Sequence, residues 1–164
     1  MKSIIILGSE RKNGITEKVA TRLSELLACE CVNLLDLNIE RFQYDQDYTA
    51  PNDFILLMDR ITKEYDHIIF ATPVYWYSMS GIMKIFFDRL SDLLMDEKEI
   101  GRKLRGKKMS VITSSIGNHL DQQFWLPFQE TAEYMGMKFI TGVHTLEEEN
   151  NEARLTTFVE SIKE

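Results

Sequence analysis

Cysteine, histidine, proline and long apolar runs are all scarce in this chain of 164 residues, and each scarcity removes a class of protein. Only two cysteines occur, Cys29 and Cys31, one residue apart, where a strand would put both side chains on one face. Neither begins a C-x-x-C, and the three histidines, His67, His119 and His144, are isolated. The sequence therefore makes no case for a structural disulfide, a zinc site or an iron–sulfur cluster, and the cysteines read as two small core residues. Apolar runs such as Ile4 to Leu7 fall far short of the roughly twenty residues a bilayer span needs, and no signal-peptide hydrophobic region follows Met1-Lys2. The expectation is a cytoplasmic protein with no membrane partner. An excess of positive charge is missing too: nineteen basic against twenty-six acidic residues give a net charge of -7, which argues against nucleic acid and anionic lipid as partners. Three prolines and eight glycines leave no collagen-like or low-complexity signature.

What is present is ordinary: 44% apolar and 27% charged residues in a length that suits one domain, expected to span residues 1–164. Short β-rich apolar runs alternate with segments of helical period, the pattern of a parallel sheet covered on both faces. Strands are expected at Ser3 to Leu7, Cys31 to Leu34, His67 to Thr72, Met109 to Thr113 and Phe139 to Val143, with Pro73 stopping the third. Helical stripes run through Val19, Ala20, Leu23, Leu26 and Leu27; through Phe54, Leu57, Met58 and Ile61, with Asn52 as N-cap; and through Ile82, Ile85, Phe86 and Leu90. Two further stripes hold Phe124, Phe128, Ala132 and Met135, closed by Gly136, and Phe158, Val159 and Ile162. Right-handed crossovers leave two common open sheets, of which the order 2-1-3-4-5 is the more frequent at this length: an α/β, flavodoxin-like three-layer sandwich. Ligands of such sheets bind beyond the carboxyl ends of strands one and three.

Three loops meet there. The first, GSERKNGIT from Gly8 to Thr16, leads into a helix whose opening amides carry partial positive charge. Its two glycines admit close backbone approach, Ser9, Asn13 and Thr16 offer uncharged donors, and Arg11 offers a bidentate charge. It is neither a Walker A loop nor G-x-G-x-x-G. An anion site and a polar turn with a basic rim are both compatible with this loop alone. The second, PVYWYSMSG from Pro73 to Gly81, sets Tyr75, Trp76 and Tyr77 in succession just past a buried strand. A flat π-system stacked on Tyr75 or Trp76, or a sheet edge or subunit interface covered by Trp76 and Tyr77, would account for that placement. The third, Ser114-Ser115-Ile116-Gly117-Asn118, is small and polar and by itself weak evidence. S-M-S-G is no nucleophile elbow, since Met79 stands where a serine would be needed.

The loop GSERKNGIT and the stretch PVYWYSMSGIMKIFFDRL, from Pro73 to Leu90, resemble the two signatures of the NADPH-dependent FMN reductase family of flavodoxin-like proteins. That resemblance implies an FMN-dependent NAD(P)H oxidoreductase, an enzyme passing hydride from NADPH or NADH to bound FMN and then to a small-molecule quinone, nitro, azo or flavin acceptor. It also implies a homodimer or homotetramer, with aromatics such as Tyr44 and Trp125 as exposed anchors. By the same resemblance Ser9, Arg11, Asn13, Gly14 and Thr16 would hold the FMN phosphate, with Ile15 in the same site. Pro73, Val74, Tyr75 and Trp76 would border the isoalloxazine, and Ser114, Ser115 and Gly117 would touch its far edge. Flavin N5 carries the chemistry, so no catalytic side chain is named. Lys84, Asp88 and Arg89 match the second signature from the helix, where an ion pair or subunit contact suits them better than flavin. Two departures stand out. Glu10 occupies a position where the family often has proline, and is expected to point to solvent. The stretch Asn38 to Pro51 lacks the cysteine cluster of the iron–sulfur branch and has Phe42, Tyr44 and Tyr48, which would either lid a neighbouring subunit's flavin or pack the loop. The competing reading is a flavodoxin-type electron carrier, against which Arg11 counts. A receiver-type signalling domain is disfavoured because Gly8-Ser9 and Thr72-Pro73 stand where its acids would be.

Overall fold

The computed structural model describes residues 1–49, 51–147 and 149–163. Five parallel strands form one sheet in the order β2-β1-β3-β4-β5, which is the expected order. The strands are β1 (Ser3–Leu7), β2 (Glu30–Asn33), β3 (His67–Pro73), β4 (Lys108–Ser115) and β5 (Lys138–Leu146). Between and after them run α1 (Ile15–Leu27), α2 (Asp53–Glu64), α3 (Gly81–Arg89), α4 (Asp92–Met95), α5 (Lys98–Arg102), α6 (Leu126–Tyr134) and α7 (Glu152–Lys163).

The period of two along each strand divides the core. Ile5, Leu7, Ile69, Ala71 and Ile112 face Val19, Ala20 and Leu23 of α1 and Leu155, Phe158 and Ile162 of α7. Ile4, Ile6, Ile68, Phe70 and Val111 point the other way, onto Phe54 and Met58 of α2, Phe86 and Phe87 of α3, and Phe128 of α6. Strands covered on both faces have no polar side to show, which is why β1 and β3 are buried at every position. Each fully buried Phe or Ile contributes about 1.5–3 kcal/mol.

Several local expectations need correction. Strand β3 runs through Pro73, which closes it as its last residue; Val74 N–H takes over the pairing by donating to Ser114 O at 3.0 Å. Strands β4 and β5 extend two and three residues beyond the expected Thr113 and Val143, because Ser114, Ser115 and the His144-Thr145-Leu146 end are paired although little in them is apolar. Two short helices, α4 and α5, fill the stretch between α3 and β4; four or five residues are too few to show a period. Phe124 lies in a 3-10 turn before α6 rather than in the helix. Asn52 makes no side-chain cap for α2, since its Oδ1 accepts instead from Arg89 Nη2 at 2.8 Å. Trp125 is half-buried, edge-on to Phe124 at 5.1 Å and packed over Gly142, so it is no exposed anchor; Tyr44 is exposed. Cys29, just before β2, and Cys31 within it are half-buried free thiols against the α1–α7 layer, and burial pushes both up to about 11.

The second signature is structural in large part. Lys84 Nζ pairs with Asp88 at 2.5 Å on the surface. Arg89 is fully buried: Nε donates to Asp92 at 2.7 Å, Nη1 to Glu40 O at 3.0 Å and Nη2 to Asn52, while its plane lies 3.7 Å from the Tyr48 ring centre. Tyr48 also donates to Asp92 Oδ1 at 3.0 Å. Of the two readings offered for Tyr48, loop packing is the one observed.

Candidate functional site

The carboxyl ends of β1, β3 and β4 are joined by hydroxyls. Ser80, the N-cap of α3, donates through Oγ to Gly8 O at 2.7 Å and accepts from Met83 N–H at 3.2 Å. Its own N–H donates to Thr72 Oγ1 at 3.0 Å, and Thr113 Oγ1 donates to Thr72 O at 2.7 Å. Gly8 lies so close to α3 that an added Cβ would come within 2.9 Å of Met83 Cε. Small residues thus let the first and second loops approach one another and fix where each departs.

Beyond them opens a hollow of about 400 Å³, within the range of small-molecule and cofactor sites. Ser9, Arg11, Gly14, Ile15 and Thr16 of the first loop and α1 line one side. Pro73, Val74, Tyr75, Trp76 and Tyr77 line another, and Ser114, Ser115, Ile116, His119 and Glu147 complete it. Most of the residues expected at the site therefore come together. Asn13 and Gly117 do not: Asn13 sits on an outer groove beside α1, and Gly117 is off the lining, its carbonyl accepting from Ser115 Oγ at 2.8 Å. Tyr77, Ile116, His119 and Glu147 were not foreseen. Tyr77 continues the aromatic run and Ile116 lies inside the third loop, so local signals existed. Glu147 had none, because β5 was expected to end at Val143.

One end of the hollow is the start of α1. Gly14 is its N-cap and supplies no side chain, so the first amides of the helix are not covered by one. The Arg11 stem lies along Gly14, where an added Cβ would meet Arg11 Cγ and Cδ at 3.3 Å. Glu10 is exposed but does not point freely to solvent as expected: its carboxylate accepts from Ile82 N–H at 3.2 Å, at the start of α3. Glu17 likewise turns outward to Asn13 N–H at 2.5 Å.

Tyr75 and Ser78 exchange backbone hydrogen bonds of 2.9 and 3.0 Å around Trp76 and Tyr77, which both have positive φ, 50° and 63°. A two-residue turn of this kind favours Asn-Gly; bulky aromatics there are strained by about 1–2 kcal/mol each. Trp76 is 94% exposed and Tyr77 67%, so burial within this chain does not offset the strain. The strain sits at the mouth of the hollow, in large flat exposed side chains. On the third side, Thr145 Oγ1 donates to Thr113 O at 3.0 Å and Ser114 Oγ to Thr145 Oγ1 at 2.8 Å. With the Ser115 proton on Gly117 O, the network assigns His144 Nε2 as donor to Ser115 Oγ at 2.6 Å. Burial, then the Arg154 charge, hold His144 below the ordinary histidine range. His119 bridges the third loop to the aromatic turn, edge-on to Tyr77 with ring centres 5.8 Å apart.

An uncapped helix start beside an arginine, continuous with an apolar wall and a flat aromatic rim, fits a phosphate ester that carries a planar ring. Against known proteins, the profile of the family described as NADPH-dependent FMN reductase matches residues 1–146. The chain belongs to that family. It is accordingly an FMN-dependent NAD(P)H oxidoreductase, with FMN as cofactor and reduced nicotinamide as electron source. Among relatives, YwqN of Bacillus subtilis (strain 168), whose name provisionally assigns it as an NAD(P)H-dependent FMN-containing oxidoreductase, is 30% identical over 150 residues, covering 85% of this chain and 81% of YwqN. In fold, the chain is similar to the Trp repressor binding protein of Bacillus subtilis, with a TM-score of 0.76 at 24% identity over 99% of this chain and 97% of the other. It is also similar to general stress protein 14 of Treponema denticola, a structure in complex with FMN, with a TM-score of 0.65 at 15% identity over 99% and 94%.

Proposed function

We propose that the hollow seats FMN with its phosphate at the start of α1 and its ring along the Pro73–Trp76 loop, and that the electrons go on to a small-molecule acceptor of the quinone, nitro, azo or free-flavin class. Bound FMN would supply the redox chemistry, taking hydride from the nicotinamide and releasing reducing equivalents to the acceptor. The chain's own residues bind and orient. Arg11 and the amides of Ile15 and Thr16 meet the phosphate charge, Ser9 adds a hydroxyl, and Gly14 keeps the approach clear. Asn13 acts from outside the wall by turning the loop into α1 through its φ of 56°. Val74 and Tyr75 present main chain to the ring edge, Trp76 presents its face, and Ser114, Ser115 and Gly117 shape the far side. Exposed Tyr75 and Trp76 leave one face of the site open to two flat partners in turn, the nicotinamide and then the acceptor.

The observation that carries this reading is the uncapped α1 start and Arg11 sharing one hollow with the apolar, aromatic wall. Residues 1–164 would act as one FMN-binding domain, as a homodimer or homotetramer in the cytoplasm. Among the described residues no helix is long and apolar enough to cross a membrane. A flavodoxin-type carrier is the second reading, favoured by the net charge of -7, which suits docking to a basic redox partner. Stopped-flow mixing separates them. The enzyme reading expects purified yellow protein to bleach rapidly with NADPH or NADH and to recover its colour on adding a quinone, nitro or azo compound. Bleaching by dithionite but not by either nicotinamide would favour the carrier, and colourless protein that takes up no FMN would defeat both.

A further inference from the structure

Three carboxylates stand close to the proposed phosphate end, and two of them are turned away onto main-chain amides. Glu10 accepts from Ile82 N–H and Glu17 from Asn13 N–H. The third, Glu147, lines the hollow, the single carboxylate among the lining residues described, and Arg11 is the single arginine or lysine there. Arg11 Nη1 and Glu147 Oε1 lie 3.8 Å apart, close enough for an ion pair and too far for a hydrogen bond. Glu147 is held at that spot by its main chain, whose N–H donates to Ser115 O at 3.1 Å and so prolongs the β4–β5 pairing past Leu146. The Arg11 stem lies along Gly14, where an added Cβ would meet its Cγ and Cδ at 3.3 Å.

We propose that Glu147 is a specificity-determining residue of the flavin site: it keeps the Arg11 guanidinium at the hollow until flavin binds and then surrenders it to the flavin phosphate. This rests on the FMN reading above. The chemistry is an exchange of one anion for another. A phosphate monoester carries about 1.5 to 2 negative charges near neutral pH, so it outcompetes a single carboxylate for Arg11 and is at the same time repelled by that carboxylate. Glu147 therefore sets FMN affinity below what Arg11 and the helix start would give alone, and leaves flavin without a phosphate unaffected, since nothing then asks Arg11 to change partner. The cofactor is held less tightly and can be exchanged.

The test is flavin release from loaded protein, followed by the fluorescence regained on dilution, for protein carrying FMN and for protein exchanged into riboflavin. The Glu147→Gln variant keeps size and hydrogen bonding and loses only the charge. Its FMN dissociation constant is expected to fall about three- to tenfold with that for riboflavin unchanged, and the gain to shrink in the Arg11→Gln background. An unchanged or raised FMN dissociation constant in Glu147→Gln would overturn the proposal while leaving the FMN site intact, and so would equal tightening of FMN and riboflavin. Wild-type protein that retains neither flavin would instead overturn the reading of the hollow, and this inference with it.

Discussion

Arg89 and Arg11 are the same side chain in opposite settings. Arg89 is buried, with its guanidinium engaged by Asp92, Glu40 O, Asn52 and the Tyr48 and Phe54 rings. At the mouth of the hollow Arg11 is 68% exposed, with one carboxylate at 3.8 Å. A buried charge must be fully partnered to be tolerated, and once it is, it has nothing left to offer a ligand. A half-partnered one at the rim costs the fold little and remains available. The two arginines differ in what surrounds them: Arg89 is closed in by protein groups, and Arg11 stands exposed at the hollow.

The contrast can be broken most severely at the closed end. Asp92→Ala strips Arg89 of its carboxylate and should cost about 3–5 kcal/mol of folding stability, read as a large fall in the urea midpoint. A loss below about 1 kcal/mol would mean that Arg89 is not held by that pair. The histidines sharpen the same point. His67 is fully buried with Nδ1 3.2 Å from Ser3 Oγ and Nε2 2.9 Å from Ser110 Oγ, and burial lowers it to about 4. A group whose folded value is depressed in this way binds more protons when unfolded. Stability is thus complete above about 6.5, falls as pH drops through the window down to about 4, and loses up to about 3 kcal/mol there. In His67→Gln that component of the acid slope should vanish; an unchanged slope would assign it elsewhere.

At the open end the effects on stability shrink or reverse. Replacing the strained pair, Trp76→Asn with Tyr77→Gly, should raise stability by about 1–2 kcal/mol and speed flavin loss, because the turn gains residues that suit positive φ while the site loses its rim. A destabilised variant would show that the aromatics support the fold rather than the ligand. Smallest is Arg11→Gln, which should move stability by less than about 0.5 kcal/mol, as expected of an exposed pair, yet release FMN at least tenfold faster. A large stability change with unaltered flavin release would erase the distinction between the two arginines.

The reach of sequence reasoning follows the same division. Hydrophobic period located all five strands and both faces of the sheet, since each strand repeats the signal several times over and a one-residue slip would turn its whole apolar set to water. Crossover handedness narrowed the strand order to two common sheets and frequency at this length chose between them, and with the order came the three loops that meet at one crevice. Strand ends were missed where pairing continues through polar residues, as at Ser114-Ser115 and His144-Thr145, and that shortfall hid Glu147. Asn52 looked like a helix cap because its type and position suit one; Arg89 offered its side chain a charged donor instead. Trp125 looked exposed because nothing local marks the space over Gly142.

Taken alone, the order of residues determined the sheet, its layers, the family and most of the wall of the hollow, because those rest on patterns repeated along short stretches of chain. Tertiary structure alone decided which carboxylate faces which arginine, that Glu10 and Glu17 turn away while Glu147 turns in, and that Trp76 and Tyr77 sit strained in the open. The reason is that burial is specified by many weak, redundant contacts legible one residue after another. A charge or a turn depends on one or two partners, and those are fixed only by where distant segments come to rest.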